Sequence, residues 1–140
     1  MTTWSDHIAI STRGNDDILD ITDELRRIVA ESGVSTGMVS AMVIGSTGAL
    51  STLEFEPGLV DSDIAAALEK IAPRDGEYVH ERTWNDDNGH SHVRACLIGP
   101  SLALPIVEGT VPLGTWQQVV VLDFDPRPRD RWIAVTVVGV

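Results

Sequence analysis

The chain has 140 residues, 43% of them hydrophobic, which suits one globular domain with a single core. Its 21 acidic residues against 10 basic ones give a formal charge of -11. This balance excludes nucleic acid as a partner, because a phosphate backbone needs a basic surface. Lys70 is the only lysine, so the basic residues are nearly all arginines, which suit bidentate contacts with carboxylates or phosphates.

The sequence also predicts a cellular location. The single cysteine, Cys96, has no partner for an internal disulfide, so nothing indicates an oxidising compartment. The segment from Met1 to Asp6 has neither a basic nor an apolar region, and no apolar run approaches the ~18 residues of a membrane span. We therefore expect a cytoplasmic protein with no membrane partner. The apolar neighbours of Cys96 predict a small core residue and not a nucleophile.

Hydrophobic periodicity and turn residues predict the elements of the first half of the chain. A helix is predicted from the N-cap candidate Thr22 to the stop at Gly33, and a second from 61–63 to the stop at Pro73. The predicted strands of this half are 7–12, 18–21, 37–44 and 49–55.

The second half is predicted to be richer in strands. The spacing over 90–98 is compatible with a short helix, and Pro105 predicts that the strand at 102–107 is an edge strand or carries a bulge. The continuous apolar run at 117–124 predicts a strand buried on both faces. A charged loop at 125–131 precedes the last strand, 132–140, which ends without a polar tail. Because an exposed apolar edge invites aggregation, we expect another subunit to cover it in a homo-oligomer.

Ligand-capable side chains are concentrated in one polar run, from Tyr78 to His92. Three of the four histidines, His80, His90 and His92, lie there and are candidate metal ligands. Their spacing fits no zinc-finger pattern, and exposed or core histidines are the alternative. On a helix the side chains of His90 and His92 would diverge, whereas on a strand they would share a face. Either His80 or His92 could act as a general acid or base near neutral pH.

Two other polar segments have a structural alternative beside the functional one. Asp86-Asp87-Asn88-Gly89 contributes carboxylates to the polar run, but it is also a favourable turn sequence. The segment 45–48, Gly-Ser-Thr-Gly, could be an anion-binding nest of backbone amides or an ordinary hairpin turn.

The remaining candidates are arginine and tryptophan side chains. The arginines of the loop 125–131 could hold a phosphate, or they could pair with Asp125 and Asp130 in a solvated loop. Trp84, Trp116 and Trp132 are more typical of a core or an interface than of a ligand platform.

Several segments spread over nearly the whole chain form a recognisable pattern. They are 78–80, 84–92, 97–101, 105–106, Gly109, 113–118 and 125–129. Together they resemble the YjbQ family, also called the secondary thiamine-phosphate synthase or UPF0047 family. The Gly-Thr-Trp-Gln element after His-x-His is quite specific, and 125–129 looks like the family's late Asp-x-x-Arg-x-Arg segment. Upstream, Thr36-Gly37, Ser46-Thr47, Glu54 and Asp63 follow the family's order.

The resemblance implies an α+β fold, in which residues 1–140 form a single domain of two packed, mostly antiparallel sheets with two to three helices. It also implies a homotrimer around a threefold axis. The catalytic residues that it implies are His80, Asp87, Asn88 and His92. The substrate-binding residues that go with them are Ser46, Thr47, Glu54, Gln117 and Arg129.

The activity that the resemblance implies is a secondary thiamine-phosphate synthase activity, which joins hydroxymethylpyrimidine diphosphate to thiazole phosphate. The diphosphate would be clamped by Arg129 and by Mg²⁺ on Asp87. The alternative is a non-catalytic homotrimer that binds a small phosphorylated ligand or a metal ion.

One departure from the family concerns a metal. Many members have a His-Thr-Thr/Ser motif at the end of the third strand, where this chain has Gly45-Ser46-Thr47. If that histidine helps to bind a metal, one ligand is missing here. His90 could replace it beside His80 and His92, or amides and hydroxyls could bind an anion instead. A divalent cofactor, Mg²⁺ or Zn²⁺, is thus a candidate that the sequence does not establish.

Overall fold

Seven strands form two antiparallel sheets in the computed structural model, which describes residues 1–140. The four-stranded sheet has the order β1-β7-β3-β5, and the three-stranded sheet has the order β2-β6-β4. The strands are β1 (Thr2–Ser11), β2 (Asp17–Asp20), β3 (Thr36–Val43), β4 (Gly48–Leu53), β5 (Ser101–Val107), β6 (Gln118–Asp123) and β7 (Asp130–Gly139).

Four helices complete the α+β domain, one more than the two to three predicted. They are α1 (Thr22–Ser32), α2 (Ile64–Ile71), α3 (His80–Trp84) and α4 (Gly89–Ile98), with a π-helical turn at Leu59–Asp63 before α2. The helix missing from the prediction is α3, because one turn of five polar and aromatic residues carries no apolar periodicity. No helix is both long and apolar enough to cross a membrane.

Strand β6 lies at the centre of the three layers. Val119 and Val121 belong to the main core between the two sheets, which also includes Leu25 and Ile28 of α1. Val120 and Leu122 belong to a second core cluster, where Leu68 of α2 and Ala95 of α4 cover the other face of the three-stranded sheet. The prediction that this strand is buried on both faces is therefore confirmed, and its continuous apolar run follows from having a layer on each side.

The outward face of the four-stranded sheet is covered by no helix. We call it the outer face and define it by the outward residues of the middle of the strands: His7 and Ala9 of β1, Trp132, Ala134, Thr136 and Val138 of β7, Met38, Ser40 and Met42 of β3, and Ala103, Pro105 and Val107 of β5. None of these is an acidic, lysine or arginine residue, and the one acidic residue on the same side of β7 is Asp130, at the start of the strand. The His7 and Trp132 rings stack at 4.1 Å between centroids, with an interplanar angle of 3°.

Three sequence-based expectations need correction or confirmation. The last strand is not an exposed edge, because β7 lies between β1 and β3, so that argument for an oligomer fails. Cys96 is exposed on α4 and is not a core residue. The prediction for Pro105 is confirmed, since β5 is an edge strand of its sheet.

A buried arginine holds α4 against the rest of the domain. The Arg94 side chain is 0% exposed, and its Nη1 donates to both carboxylate oxygens of Asp16, at 2.8 and 2.9 Å. Its Nη2 donates to Glu69 Oε2 at 2.6 Å and its Nε to the Ala72 carbonyl at 3.0 Å. One guanidinium thus connects α4 to the β1–β2 loop and to α2.

We predict that Arg94→Met lowers the free energy of unfolding by about 3 kcal/mol, because Asp16 would keep a buried charge without its main partner. Urea denaturation followed by circular dichroism measures this change. Arg27→Met is the matched control, since Arg27 pairs with Glu31 at 2.7 Å on the exposed surface of α1. Equal losses in the two variants would contradict a special role for Arg94.

Candidate functional site

A cleft of about 390 Å³ lies at the end of the sandwich where both sheets give way to loops and to α3 and α4. The β3–β4 turn, the β6–β7 loop and the first turn of α4 all reach it. Its lining residues are Gly45, Ser46, Thr47, His80, Trp84, Asp86, Asn88, His92, Asp125, Arg129 and Arg131. Only one of these lining residues is hydrophobic, so the cleft suits a polar ligand.

The floor of the cleft is a buried network of charged and hydroxyl groups. Arg131 donates from Nε to Asp123 Oδ2 at 3.1 Å and from Nη2 to Asp123 Oδ1 at 2.8 Å. The same Nη2 donates to Thr47 Oγ1 at 2.6 Å, and that hydroxyl donates to Asp125 Oδ2 at 3.0 Å. Arg129 Nη2 donates to Asp125 Oδ2 at 2.9 Å. Each guanidinium is therefore held by a carboxylate that is at most 1% exposed.

The Asp125 carboxylate stays ionised although it is buried. Burial alone raises its pKa, but hydrogen bonds from the Arg129 side chain, the Arg127 amide and the Thr47 hydroxyl outweigh burial. The pKa of Asp125 is therefore lowered below its ordinary 3.8. Asp125 therefore keeps its negative charge, and with it the ion pair that orients Arg129, throughout the neutral pH range.

Two of the three imidazoles of the polar run meet across the cleft. The His80 and His92 ring centroids are 4.4 Å apart, tilted by 58°. Asn88 is 5% exposed and lies with its amide 3.0 Å from His80 Nε2. We assign the Asn88 nitrogen to the side that faces Asp86, where it donates to Oδ1 at 2.9 Å and also to His80 Nε2 at 3.0 Å.

His80 and His92 differ in their freedom to act on a ligand. His80 Nε2 is engaged by Asn88 and lies 3.4 Å from Asp86 Oδ1. The half-buried His92 ring makes no hydrogen bond within the chain while lining the cleft. Of the two predicted acid–base candidates, His92 is the one with free ring nitrogens.

Asp87, which was predicted to share this cavity, lines another cleft. It faces a separate cavity of about 500 Å³ together with Arg74, Tyr78 and His90. The backbone explains the separation, because Asn85 and Asp87 both adopt positive φ, 53° and 57°. These left-handed turns direct neighbouring carboxylates apart, so Asp86, and not Asp87, accompanies His80.

His90 also lies away from the other two predicted metal ligands. It is 2% exposed, and its Nε2 is 3.3 Å from Ser91 Oγ. The segment is helical, so His90 and His92 diverge as expected for a helix. Burial, together with the guanidiniums of Arg94 and Arg74, lowers the pKa of His90 below its ordinary 6.5, against the opposite influence of Asp16 and Glu69.

The other predicted substrate-binding residues divide into two groups. Ser46, Thr47 and Arg129 line the cleft. Glu54 and Gln117 lie beyond the far end of β4, roughly 20 Å from its first residues. There Gln117 Nε2 donates to Thr52 Oγ1 at 3.0 Å. A contribution of these two residues to the cleft would require a neighbouring subunit.

The residues present do not make an all-protein metal centre. The structure contains no group of three or more histidine, cysteine, aspartate or glutamate side chains placed to hold a metal ion. The three predicted histidine ligands are divided between two clefts.

The predicted site residues leave out five residues that line the cleft: Gly45, Trp84, Asp86, Asp125 and Arg131. The segments 45–48 and 125–131 were both considered as anion sites, so their glycines and arginines were an available signal. Nothing local distinguished Asp86 from Asp87. Trp84 is 71% exposed at the cleft, so it is not a core residue.

With this geometry in place, comparison with known proteins identifies the class. The UPF0047 protein YjbQ-like family matches residues 6–140, and the chain belongs to this family. A UPF0047 protein of Methanothermobacter thermautotrophicus is 34% identical over 139 residues, covering 99% of this chain and 94% of that protein. One from Archaeoglobus fulgidus is 36% identical over 128 residues, covering 91% and 96% respectively.

Solved structures agree with the fold. The crystal structure of a YbjQ-like protein of unknown function from Sulfolobus solfataricus superposes with a TM-score of 0.91 at 30% identity, covering 99% of this chain and 98% of that one. An uncharacterised YjbQ/UPF0047 family protein from Clostridium acetobutylicum gives a TM-score of 0.85 at 32% identity, covering 95% and 99%. The α+β architecture of two antiparallel sheets is thus common to these proteins.

We predict that His90 makes the protein less stable as the pH falls below about 6.5. The folded chain resists protonating His90 while the unfolded chain accepts the proton. The free energy of unfolding is therefore fully maintained above the unfolded pKa and decreases towards the folded one, by up to about 1.4 kcal/mol per pH unit.

Urea denaturation at several pH values between about 7.5 and about 5.5 measures this decrease. His90→Gln should flatten it. A wild-type slope in His90→Gln would contradict the assignment.

Proposed function

We propose that the cleft binds a phosphorylated small molecule and catalyses a thiamine-phosphate synthase reaction, in which hydroxymethylpyrimidine diphosphate is joined to thiazole phosphate. The observation that carries the proposal is the placement of Arg129 and Arg131 beside the His80–His92 pair in one polar cleft. The choice of reaction comes from the activity that the resemblance of the sequence to the YjbQ family implies.

Phosphate recognition rests on short-range donors. Arg129 is anchored by Asp125 yet its side chain is 45% exposed, so part of its guanidinium faces solvent. Helix α4 begins directly after Asn88, which lines the cleft, so the positive end of its dipole lies beside the ligand. Guanidiniums and a helix N-terminus together favour a diphosphate or phosphate monoester.

The cleft also offers an exposed indole on which an aromatic ring of a ligand can stack. Trp84 is exposed at the cleft and follows His80 by one turn of α3. Heteroaromatic rings stack on such exposed indoles, and a pyrimidine or thiazole offers a suitable face. One cleft therefore supplies contacts for both halves of the substrate.

The chemical step requires charge stabilisation and orientation. The C–O bond between the pyrimidine methylene carbon and the diphosphate breaks, and its electron pair leaves with the diphosphate. The thiazole ring nitrogen supplies the pair for the new C–N bond and becomes a thiazolium nitrogen, so no external proton is consumed. Arg129 offsets the charge that develops on the leaving group, and His92 donates a hydrogen bond to it.

The outer face supports a homotrimer. It exposes Trp132 at 56%, Met38 at 50% and Met42 at 44%, and the only acidic residue on this side of β7 lies at its edge, at Asp130. A contiguous apolar surface of this kind is typical of a subunit interface. A second copy of the chain is the partner proposed, because symmetric self-association would cover the face on every subunit.

We predict that the purified protein forms thiamine phosphate from the two substrates and that His92→Ala lowers kcat by about a hundredfold or more. His80→Ala should lower it as well, since the two rings touch. The assay follows thiamine phosphate by chromatography, with His90→Gln at alkaline pH as the matched control. Turnover that survives both alanine changes would remove these histidines from the mechanism.

The same assay separates the alternative, a non-catalytic homotrimer that binds a phosphorylated ligand or a metal ion. Ligand mass spectrometry and elemental analysis of the native protein would then find a stoichiometric ligand or ion without turnover. That result would favour binding over catalysis.

We predict that Trp132→Asp converts the trimer into monomers, because a buried carboxylate would be introduced at each outer face. Light scattering coupled to size exclusion measures the mass. Trp116→Asp is the matched control, since Trp116 is 72% exposed on a loop away from the outer face. A monomeric wild-type protein, or a trimer that survives Trp132→Asp, would contradict this interface.

A further inference from the structure

The Arg131 guanidinium has one nitrogen that the protein itself does not use. Its side chain is 6% exposed, and its Nε and Nη2 donate to Asp123 and Thr47. Nη1 makes no hydrogen bond within the chain, although Arg131 lines the cleft. A nearly buried guanidinium with a free donor at a polar cavity is a built feature for an acceptor that comes from outside the chain.

Glycine at position 45 leaves the space in which Nη1 lies. A Cβ built on Gly45 would be 2.6 Å from Arg131 Nη1, far inside normal contact distance. The φ of +129° at Gly45 is also one that residues with side chains rarely adopt. Any other residue at 45 would therefore push the guanidinium away from the mouth of the cleft.

The turn after Gly45 adds donors of the same kind. The backbone amides of Gly45, Ser46 and Thr47 donate to no backbone carbonyl and to no side chain of the protein. Successive free amides in a turn form a concave donor surface that favours oxyanions. Thr47 is held in place through its hydroxyl, which accepts from Arg131 Nη2 and donates to Asp125.

We propose that Gly45 and Arg131 together form the subsite for the terminal phosphoryl group of the substrate. Arg131 Nη1 and the amides of the 45–47 turn receive its oxygens, and the absence of a side chain at 45 makes the cleft an anion site. This deepens the proposed function and rests on it for the identity of the whole substrate, but not for the binding of the phosphoryl group.

The test uses inorganic pyrophosphate as the probe, titrated by calorimetry into the full-length protein. We expect Gly45→Ala to weaken pyrophosphate binding about tenfold, because the added methyl group displaces the charged donor. Gly99→Ala is the matched control for backbone strain, since Gly99 has φ +100° and a Cβ there would meet nothing within 4 Å. It should bind pyrophosphate as the wild type does.

A second variant keeps the proposal testable if Gly45→Ala fails to fold. Arg131→Lys retains a positive charge for Asp123 but loses the fork that carries Nη1. It should also weaken pyrophosphate binding about tenfold, with circular dichroism confirming the fold. Unchanged affinity in a folded Gly45→Ala or Arg131→Lys protein, or no pyrophosphate binding by the wild type, would overturn the subsite.

The outcome is distinguishable from that of the synthase assay. Pyrophosphate binding that depends on Gly45, in a protein without turnover, would support the subsite and refute the synthase reaction. If the protein turns over its substrates and Gly45→Ala binds pyrophosphate as tightly as the wild type, the reaction would be supported and the subsite refuted.

Discussion

The buried pair of Arg131 and Asp123 is the interaction on which both the fold and the cleft depend. Asp123 is the last residue of β6 in the three-stranded sheet, and Arg131 lies at the start of β7 in the four-stranded sheet. Their contact therefore joins the two sheets where the apolar core ends. Burying two charges is costly unless their remaining donors and acceptors find partners, and the hydroxyls of Thr12 and Thr47 supply further partners, which leaves only Arg131 Nη1 free, at the cleft. The need for these hydrogen-bond partners also holds the side chains on the floor of the cleft in place.

The side chains of the polar run are divided between two clefts because the backbone changes direction twice between α3 and α4. Left-handed conformations at Asn85 and Asp87 place Asp86 on one side and Asp87 on the other. Helical geometry then separates His90 from His92 by two residues, about 200° around the axis. One sequence segment thus contributes side chains to two clefts. Only the cleft that contains His80 and His92 is also lined by the arginines of the β6–β7 loop.

Elements with strong periodicity could be predicted from the sequence, whereas sheet order and turn handedness could not. The continuous apolar run of β6 and the apolar spacing of α1 predicted both elements to within a residue or two, although the N-cap of α1 is Ile21 and not Thr22. The C-terminal strand is equally apolar, but its place between β1 and β3 depends on pairing with distant segments. Asp86 and Asp87 are chemically identical neighbours, so no pattern could decide which one lines the cleft. The exposure of Trp84 depends likewise on tertiary packing.

Because the chain carries a large net negative charge, the cleft can bind an anion only through interactions at short range. A chain with a formal charge of -11 repels anions at long range, so its surface field does not attract a phosphorylated ligand. Inside the cleft the balance differs, because Asp123 and Asp125 are already engaged by Arg131 and Arg129. Their negative charge serves to orient the guanidiniums and leaves donors free on the cleft side. Recognition of an anion here must therefore come from placed hydrogen-bond donors at contact distance, where solvent screening is weakest.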